Sequence, residues 1–375
     1  MPTKKNIFIY FNYLVSFLGS IFFLVGANYL DLINIDKYIF LISISTIFAS
    51  SIYASSIKSK LKGSVIMISF TKNSLKSLIL LFFLISIYLG IYDKLTLIPV
   101  LLLIITYDLS YNLFAISFIK KNNTLNHSRF LFTLTIIKNL TLFLSIITSN
   151  FLIIVSVFNF IFIVFFFLLF SKLKIKFEAT KKPFNSVDLA YIFLGSLVFQ
   201  IDKILGENFL TKENYFTYFL IFKFASIFQI IGSVITQPSR NEMISKETIT
   251  KKLFKNLKNF IISLLVLLFI SNFIFIFFDK IEFFNKYIFQ INIINLIIFN
   301  ILSLSIIAHI FNGFYIDVLF IKNYGKILMS INFITLLFII VFLINFKSLI
   351  IWSTIMFTSQ IIITFLALVN YKKYA

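Results

Sequence analysis

Long apolar runs, each about the length of a membrane crossing, follow one another along the chain with short polar stretches between them. An α-helix rises 1.5 Å per residue, so crossing a hydrocarbon core of about 30 Å takes about 20 mostly apolar residues. By that rule the pattern predicts twelve spans, near residues 8–28, 38–57, 76–92, 97–119, 130–149, 151–171, 187–208, 214–237, 259–278, 289–318, 326–345 and 348–370. The tenth is long for one crossing, and Asn292, Asn295 and Asn300 blur its start. The longest hydrophilic stretches are 172–188 and 239–258. The basic, partly amphipathic segment TITKKLFKNLKNFI, 248–261, reads either as a helix lying along the headgroups or as a charged topology anchor. At the N-terminus, Lys4 and Lys5 before an apolar run have the look of a signal peptide. The run's length and the lack of an A-x-A-like cleavage site favour a retained first helix.

The expected fold class is an all-α integral membrane protein with twelve transmembrane helices in two six-helix bundles. Its domains are 1–171, a linker 172–186, and 187–375. Two short echoes suggest that the bundles repeat. FLGSIFF at 17–23 returns as FLGSLVF at 193–199, each in the first span of a block of six. FIKK at 118–121 returns as FIKN at 320–323, each leaving the fourth span of its block. Six is even, so both blocks start on the same side, which predicts parallel halves related by a pseudo-two-fold axis along the membrane normal.

Composition supports the membrane reading and narrows the chemistry. The chain is 60% hydrophobic and 13% charged, with a mean hydropathy of +1.00, well beyond a soluble domain. It has no Cys, which excludes thiolate metal sites, disulfides and Cys nucleophiles, and only two His, His127 and His309. All basic residues but Arg129 and Arg240 are Lys, beside abundant Ile, Phe and Asn, a bias of AT-rich codons that discounts the Phe count as a binding surface. A formal charge of +20 would suggest nucleic acid in a soluble protein. Here it distributes as loop charge: with the N-terminus inside, 25 of the 34 basic residues fall in cytoplasmic segments, 6 in outer ones, and Lys138, Lys203 and Lys223 within spans. Both termini are expected on the cytoplasmic side of the membrane, with no nucleic-acid partner.

No nucleotide-binding glycine loop, H-E-x-x-H or nucleophile elbow occurs, and no outer loop has room for the larger sites that membrane polymerases and glycosyltransferases use. An enzyme and a cofactor are not expected.

The remaining chemistry lies in the spans: Asp108, Lys138, Asp202, Lys203 and Lys223 are the ionisable residues set deepest in apolar sequence. Each costs about 2.5–3.5 kcal/mol at the centre of a membrane helix, so they face protein or water. Two readings stand for most of them. Asp108 and Lys138 form a structural ion pair or line a passage; Asp202 pairs with a Lys or lines it. Lys203 and Glu207, spaced i, i+4 near the outer end of a span, predict a peripheral contact, or Lys203 snorkels outward. Lys223, among Phe219, Phe222 and Phe224, reads as lining a cavity. Asn112 lies one turn past Asp108, Asn139 adjoins Lys138, and His309 with Asn312 makes a further polar strip, where a helix–helix hydrogen bond is the usual outcome. Two acids against three bases make a slightly cationic interior, suited to an anionic headgroup.

The run QIDKILGENFLTKENYFTYFLIFKFASIFQIIGSVITQPSRNEMIS, 200–245, resembles the seventh and eighth helices of the polysaccharide-export flippases of the multidrug/oligosaccharidyl-lipid/polysaccharide exporter superfamily. The matching features are Asp202-Lys203 in the seventh helix, Tyr215 or Tyr218 opening the eighth, Lys223 within it, and Pro238 near its end. FNGFYIDVLFIKNYGKILMSINFITLLF, 311–338, is similar to the family's tenth and eleventh helices. The resemblance implies alternating-access transport of an oligosaccharide on undecaprenyl pyrophosphate, the repeat unit of O-antigen or another surface polysaccharide. Lys138, Lys223, Asn112 and Asn139 are then the substrate contacts. Asp108, Asp202 and Lys203 would gate the passage or bind a coupling proton or sodium ion. The alternatives are a drug or small-solute exporter of the same superfamily, a discontinuous-helix ion symporter, and a membrane-embedded polysaccharide polymerase.

Overall fold

A computed structural model describes residues 11–12, 14–15, 18–19, 35–60, 66–67, 95–108, 128–130, 132–137, 156–164, 175–176, 186–229, 231–232, 251–279, 292–322 and 324–374. Nearly all of them are helical. The helices are α1 (Ile35–Lys60), α2 (Ile98–Asp108), α3 (Ser128–Ile137), α4 (156–164), α5 (Ser186–Phe209), α6 (Lys212–Ala225), α7 (Lys251–Asp279), α8 (Ile293–Ile321), α9 (Gly325–Asn345) and α10 (Leu349–Tyr374). A 3-10 turn, Leu95–Leu97, leads into α2. Two dipeptides pair as strand, β1 (Ile66–Met67) parallel to β2 (Ile175–Lys176), with Ile66 opposite Ile175.

Among the described residues, four helices carry stretches long and apolar enough to cross a membrane: Phe254–Ile276, Ile293–Phe320, Gly325–Asn345 and Leu349–Lys373. The protein is a helical, membrane-embedded chain. It divides into two compact units, 1–196 and 197–375, and the division falls inside α5.

In the first unit, Tyr107 of α2 packs its ring against Phe158 and Phe162 of α4 (centroids 5.7 and 4.7 Å apart), and Phe130 of α3 joins Phe162. Asn12 donates to Ser128 Oγ at 3.1 Å, a buried bond across 116 residues.

In the second unit α8 is central, packed along α10 and also against α6, α7 and α9. Its start is fixed by Asn292, whose side chain accepts from the Asn295 amide at 2.7 Å, an N-cap that resolves the blurred beginning of the tenth span. Thr211 caps α6 in the same way, accepting from the Asn214 amide. Only Leu210 and Thr211 separate α5 from α6, so the two helices form a tight hairpin. Gly206 lets the Tyr215 ring come close: a Cβ there would lie 2.8 and 2.9 Å from two ring carbons and 3.4 Å from Trp352. Gly206→Ala is therefore expected to overpack this corner and cost about 1–3 kcal/mol, read as a lower melting temperature of the purified protein.

Hydroxyls in these helices mostly bond back to their own backbone, as Thr335 does to the Ile331 carbonyl and Thr354 to that of Ile350, which satisfies them where water is absent. Between α7 and α8, Asn272 and Asn300 exchange two side-chain hydrogen bonds of 2.9 and 2.8 Å. Each is the other's donor and acceptor, so Asn272→Leu leaves the Asn300 amide short of both; the expected loss is about 1–2 kcal/mol, checked by thermal unfolding in detergent.

Two expectations change here. The 248–261 segment does not form a helix of its own: from Lys251 it is the first part of α7, continuous to Asp279. The eighth span is interrupted. Regular helix ends at Ala225, Ser226 (ψ −7°) makes a turn closed by a bond from the Gln229 amide to its carbonyl, and helical turns resume at 227–229 and 231–232. No Pro or Gly marks this break. The Ser226 hydroxyl instead bonds the Lys223 carbonyl at 2.6 Å, the kind of back-bond that bends helices.

Candidate functional site

Asp202 and Lys203 sit on α5 facing α6, and they are 0% and 1% exposed. Helical side chains lean toward their own N-terminus. The Lys203 ammonium accordingly turns back to donate to the Phe199 carbonyl (2.8 Å) and to Asp202 Oδ1 (2.9 Å). This is away from Glu207, which lies one turn toward the C-terminus. The expected Lys203–Glu207 contact, or outward snorkelling, is replaced by an inward ion pair for that geometric reason.

The pair is thoroughly furnished. Tyr218 donates its hydroxyl to Asp202 Oδ2 at 2.7 Å, so each carboxylate oxygen has a donor. Tyr215 donates to the Lys203 carbonyl at 2.8 Å. The Lys203 Nζ lies 3.8 Å from the centre of the Phe222 ring and 5.2 Å from that of Phe199, where the ring faces supply negative potential in place of water. Two charges thus sit in an apolar corner with a donor on each oxygen of the acid, the kind of pairing under which buried charges are tolerated.

Phe199 connects this corner to a second polar group. Its ring lies 4.7 Å from that of His309 on α8. His309 Nδ1 and Asn312 Nδ2 both approach Gln360 Oε1 of α10, at 3.2 and 3.0 Å, the helix–helix hydrogen bonding expected of that strip. Asn312 Oδ1 is buried without a hydrogen-bond partner among the described residues. Gln360 was not singled out from the sequence, although an amide in the middle of an apolar span meets the same criterion that drew attention to His309 and Asn312.

Lys223 lies on α6, half-buried, its Nζ 5.3 Å from the Phe219 ring centre, one residue past the Phe222 that covers Lys203. It is about 16 Å along the helix from Lys212 and one turn before the break at Ser226. Asp108 lies on α2 in the first unit and accepts a short hydrogen bond from Ser45 of α1. Lys138, Asn112 and Asn139 lie outside the described residues. The structure therefore brings Asp202 and Lys203 together, and it places Lys223 on α6 next in sequence to the Phe222 whose ring covers Lys203. Among the described residues no group of three or more His, Cys, Asp or Glu is arranged to hold a metal.

No protein-family model matches the chain, and no curated protein matches it. The functional reading therefore rests on these residues and on the pattern of the sequence.

Proposed function

We propose that the protein is a flippase that carries an oligosaccharide linked to undecaprenyl pyrophosphate across a bacterial inner membrane, by alternating access between two parallel six-helix bundles of a twelve-helix plan. Lys223 carries the reading. A lysine placed near mid-membrane, on a helix that loses regularity one turn later, is costly unless it meets a polar partner, water or an anion. An anionic headgroup is the partner this reading assigns. An irregular turn within a helix often accompanies function. Sugars and a pyrophosphate need such a polar path across the hydrocarbon, whereas a polyprenyl tail does not, so a cleft that opens sideways to lipid suits this substrate.

In this reading Lys223 holds the pyrophosphate from one bundle and Lys138 from the other, with Asn112 and Asn139 contacting sugar hydroxyls. The Asp202–Lys203 pair, already satisfied, acts as a gate: protonation of Asp202, or sodium bound in place of Lys203, frees the ammonium. Asp108 has the equivalent part in the first bundle. The exposed lysines at one end of the second unit then face the cytoplasm.

The test is reconstitution of the purified protein in liposomes with a fluorescent undecaprenyl-pyrophosphate oligosaccharide in the inner leaflet. Exposure of the label at the outer surface is expected, faster with an imposed proton or sodium gradient. Liposomes that move the label no faster than protein-free ones would refute the assignment.

A further inference from the structure

The two ends of the second unit differ sharply in charge. One end is defined by Leu257 at the start of α7, which packs with Phe314 and Val318 near the end of α8 and with Tyr371 near the end of α10. α9 begins at Gly325, four residues after α8 ends, so its start belongs to this end too. On these four helix ends Lys255, Lys258, Lys326, Lys372 and Lys373 are exposed, and Lys322 is half-buried. Helix positions 251 and 252 are also Lys, and the acid in this set is Asp317. The opposite end is where Tyr218 of α6 meets Trp352 of α10 (ring centroids 6.3 Å apart). It carries Lys212 and Lys347 against Glu207, Glu213 and the Asp279 that closes α7.

The depth of the lysines follows from α7. Residues 260–278 contain no Asp, Glu, Lys or Arg, and at 1.5 Å per residue they cover about 28 Å, close to the ~30 Å hydrocarbon core. Lys255 and Lys258 therefore project as a rigid helical extension at headgroup level instead of hanging from a loop. A chain of rings marks the same level: Phe311 against Tyr315 and Tyr315 against Tyr371, each pair 5.3 Å apart, and tyrosines concentrate at membrane interfaces.

We propose that this end of the second unit is a docking surface for anionic phospholipid headgroups, with Lys255 and Lys258 of α7 and Lys372 and Lys373 of α10 as its principal contacts. Clusters of four to eight lysines at the edge of a membrane helix attract anionic lipid through complementary charge, and here helical backbone holds them in place. The surface is independent of what the protein transports.

The test places the full-length protein in nanodiscs of equal phosphatidylglycerol and phosphatidylcholine, re-extracts it gently and counts retained lipids by native mass spectrometry. The wild type is expected to retain phosphatidylglycerol over phosphatidylcholine by at least about fivefold, the effect of a single lysine at an anionic surface. The variant K255Q/K258Q/K372Q/K373Q falls to near parity, and K212Q/K347Q, altered at the opposite end, keeps the preference. If the fourfold variant fails to fold, the wild type is washed in about 1 M salt, where screening acts within about 3 Å, and the preference collapses. Parity in the wild type, an undiminished preference in the fourfold variant, or a preference that survives the salt wash would overturn the proposal.

Discussion

Asp202→Ala is expected to destabilise the folded protein by about 3–5 kcal/mol, the cost of removing one member of a buried pair and leaving the other charge uncompensated. The ammonium of Lys203 keeps the Phe199 carbonyl and the Phe222 face, which places the loss toward the lower end of that range. Tyr218→Phe removes one donor to the carboxylate and is expected to cost less, about 1.5–3 kcal/mol for a hydrogen bond to a charged group. Replacing both charges by apolar residues of similar size, Asp202→Leu with Lys203→Met, is expected to be milder than Asp202→Ala, because no lone charge remains. Denaturant unfolding in detergent orders the set. An Asp202→Ala variant as stable as the wild type would mean that the pair does not hold α5 to α6.

Lys223→Ala is expected to behave in the opposite way: little change in stability, since the residue is half-buried, and a near-complete loss of transport. A charged contact to a pyrophosphate is worth up to about 3 kcal/mol, roughly two orders of magnitude in rate if it forms in the step that commits the substrate. The check is surface glycan export in cells that depend on this protein, with membrane insertion confirmed by immunoblot. Normal export by an inserted Lys223→Ala variant would remove Lys223 from the site.

The sequence conveyed the helices of the second unit well, because an apolar run bounded by polar residues in lipid has few alternatives to helix. The predicted spans 187–208, 326–345 and 348–370 correspond to α5, α9 and α10 within a few residues. It conveyed less where apolarity was not what decided the outcome. At 248–261 the lysines left two readings, a helix along the headgroups or a charged topology anchor, and from Lys251 the segment is the first part of one helix that runs on to Asp279. At Ser226 the reverse occurs: a hydroxyl back-bond interrupts a span that composition marks as continuous. In the candidate site, sequence identified the charges but not their directions. Spacing alone put Lys203 with Glu207, whereas the lean of helical side chains sends it to Asp202 and Phe199. The donors from Tyr215 and Tyr218 depend on a hairpin whose closeness rests on Gly206, a long-range fact that no local pattern carries.

The central claim is that Lys223 faces water and substrate within the membrane. Because the chain has no Cys, one introduced thiol reports on one position only. K223C, with F269C on the exposed apolar face of α7 as the lipid-facing comparison, is treated in sealed membranes with a membrane-impermeant maleimide. K223C is expected to label readily and to be protected by undecaprenyl-pyrophosphate oligosaccharide, while F269C stays unlabelled. A K223C variant no more reactive than F269C, or labelled equally with and without that lipid, would contradict it.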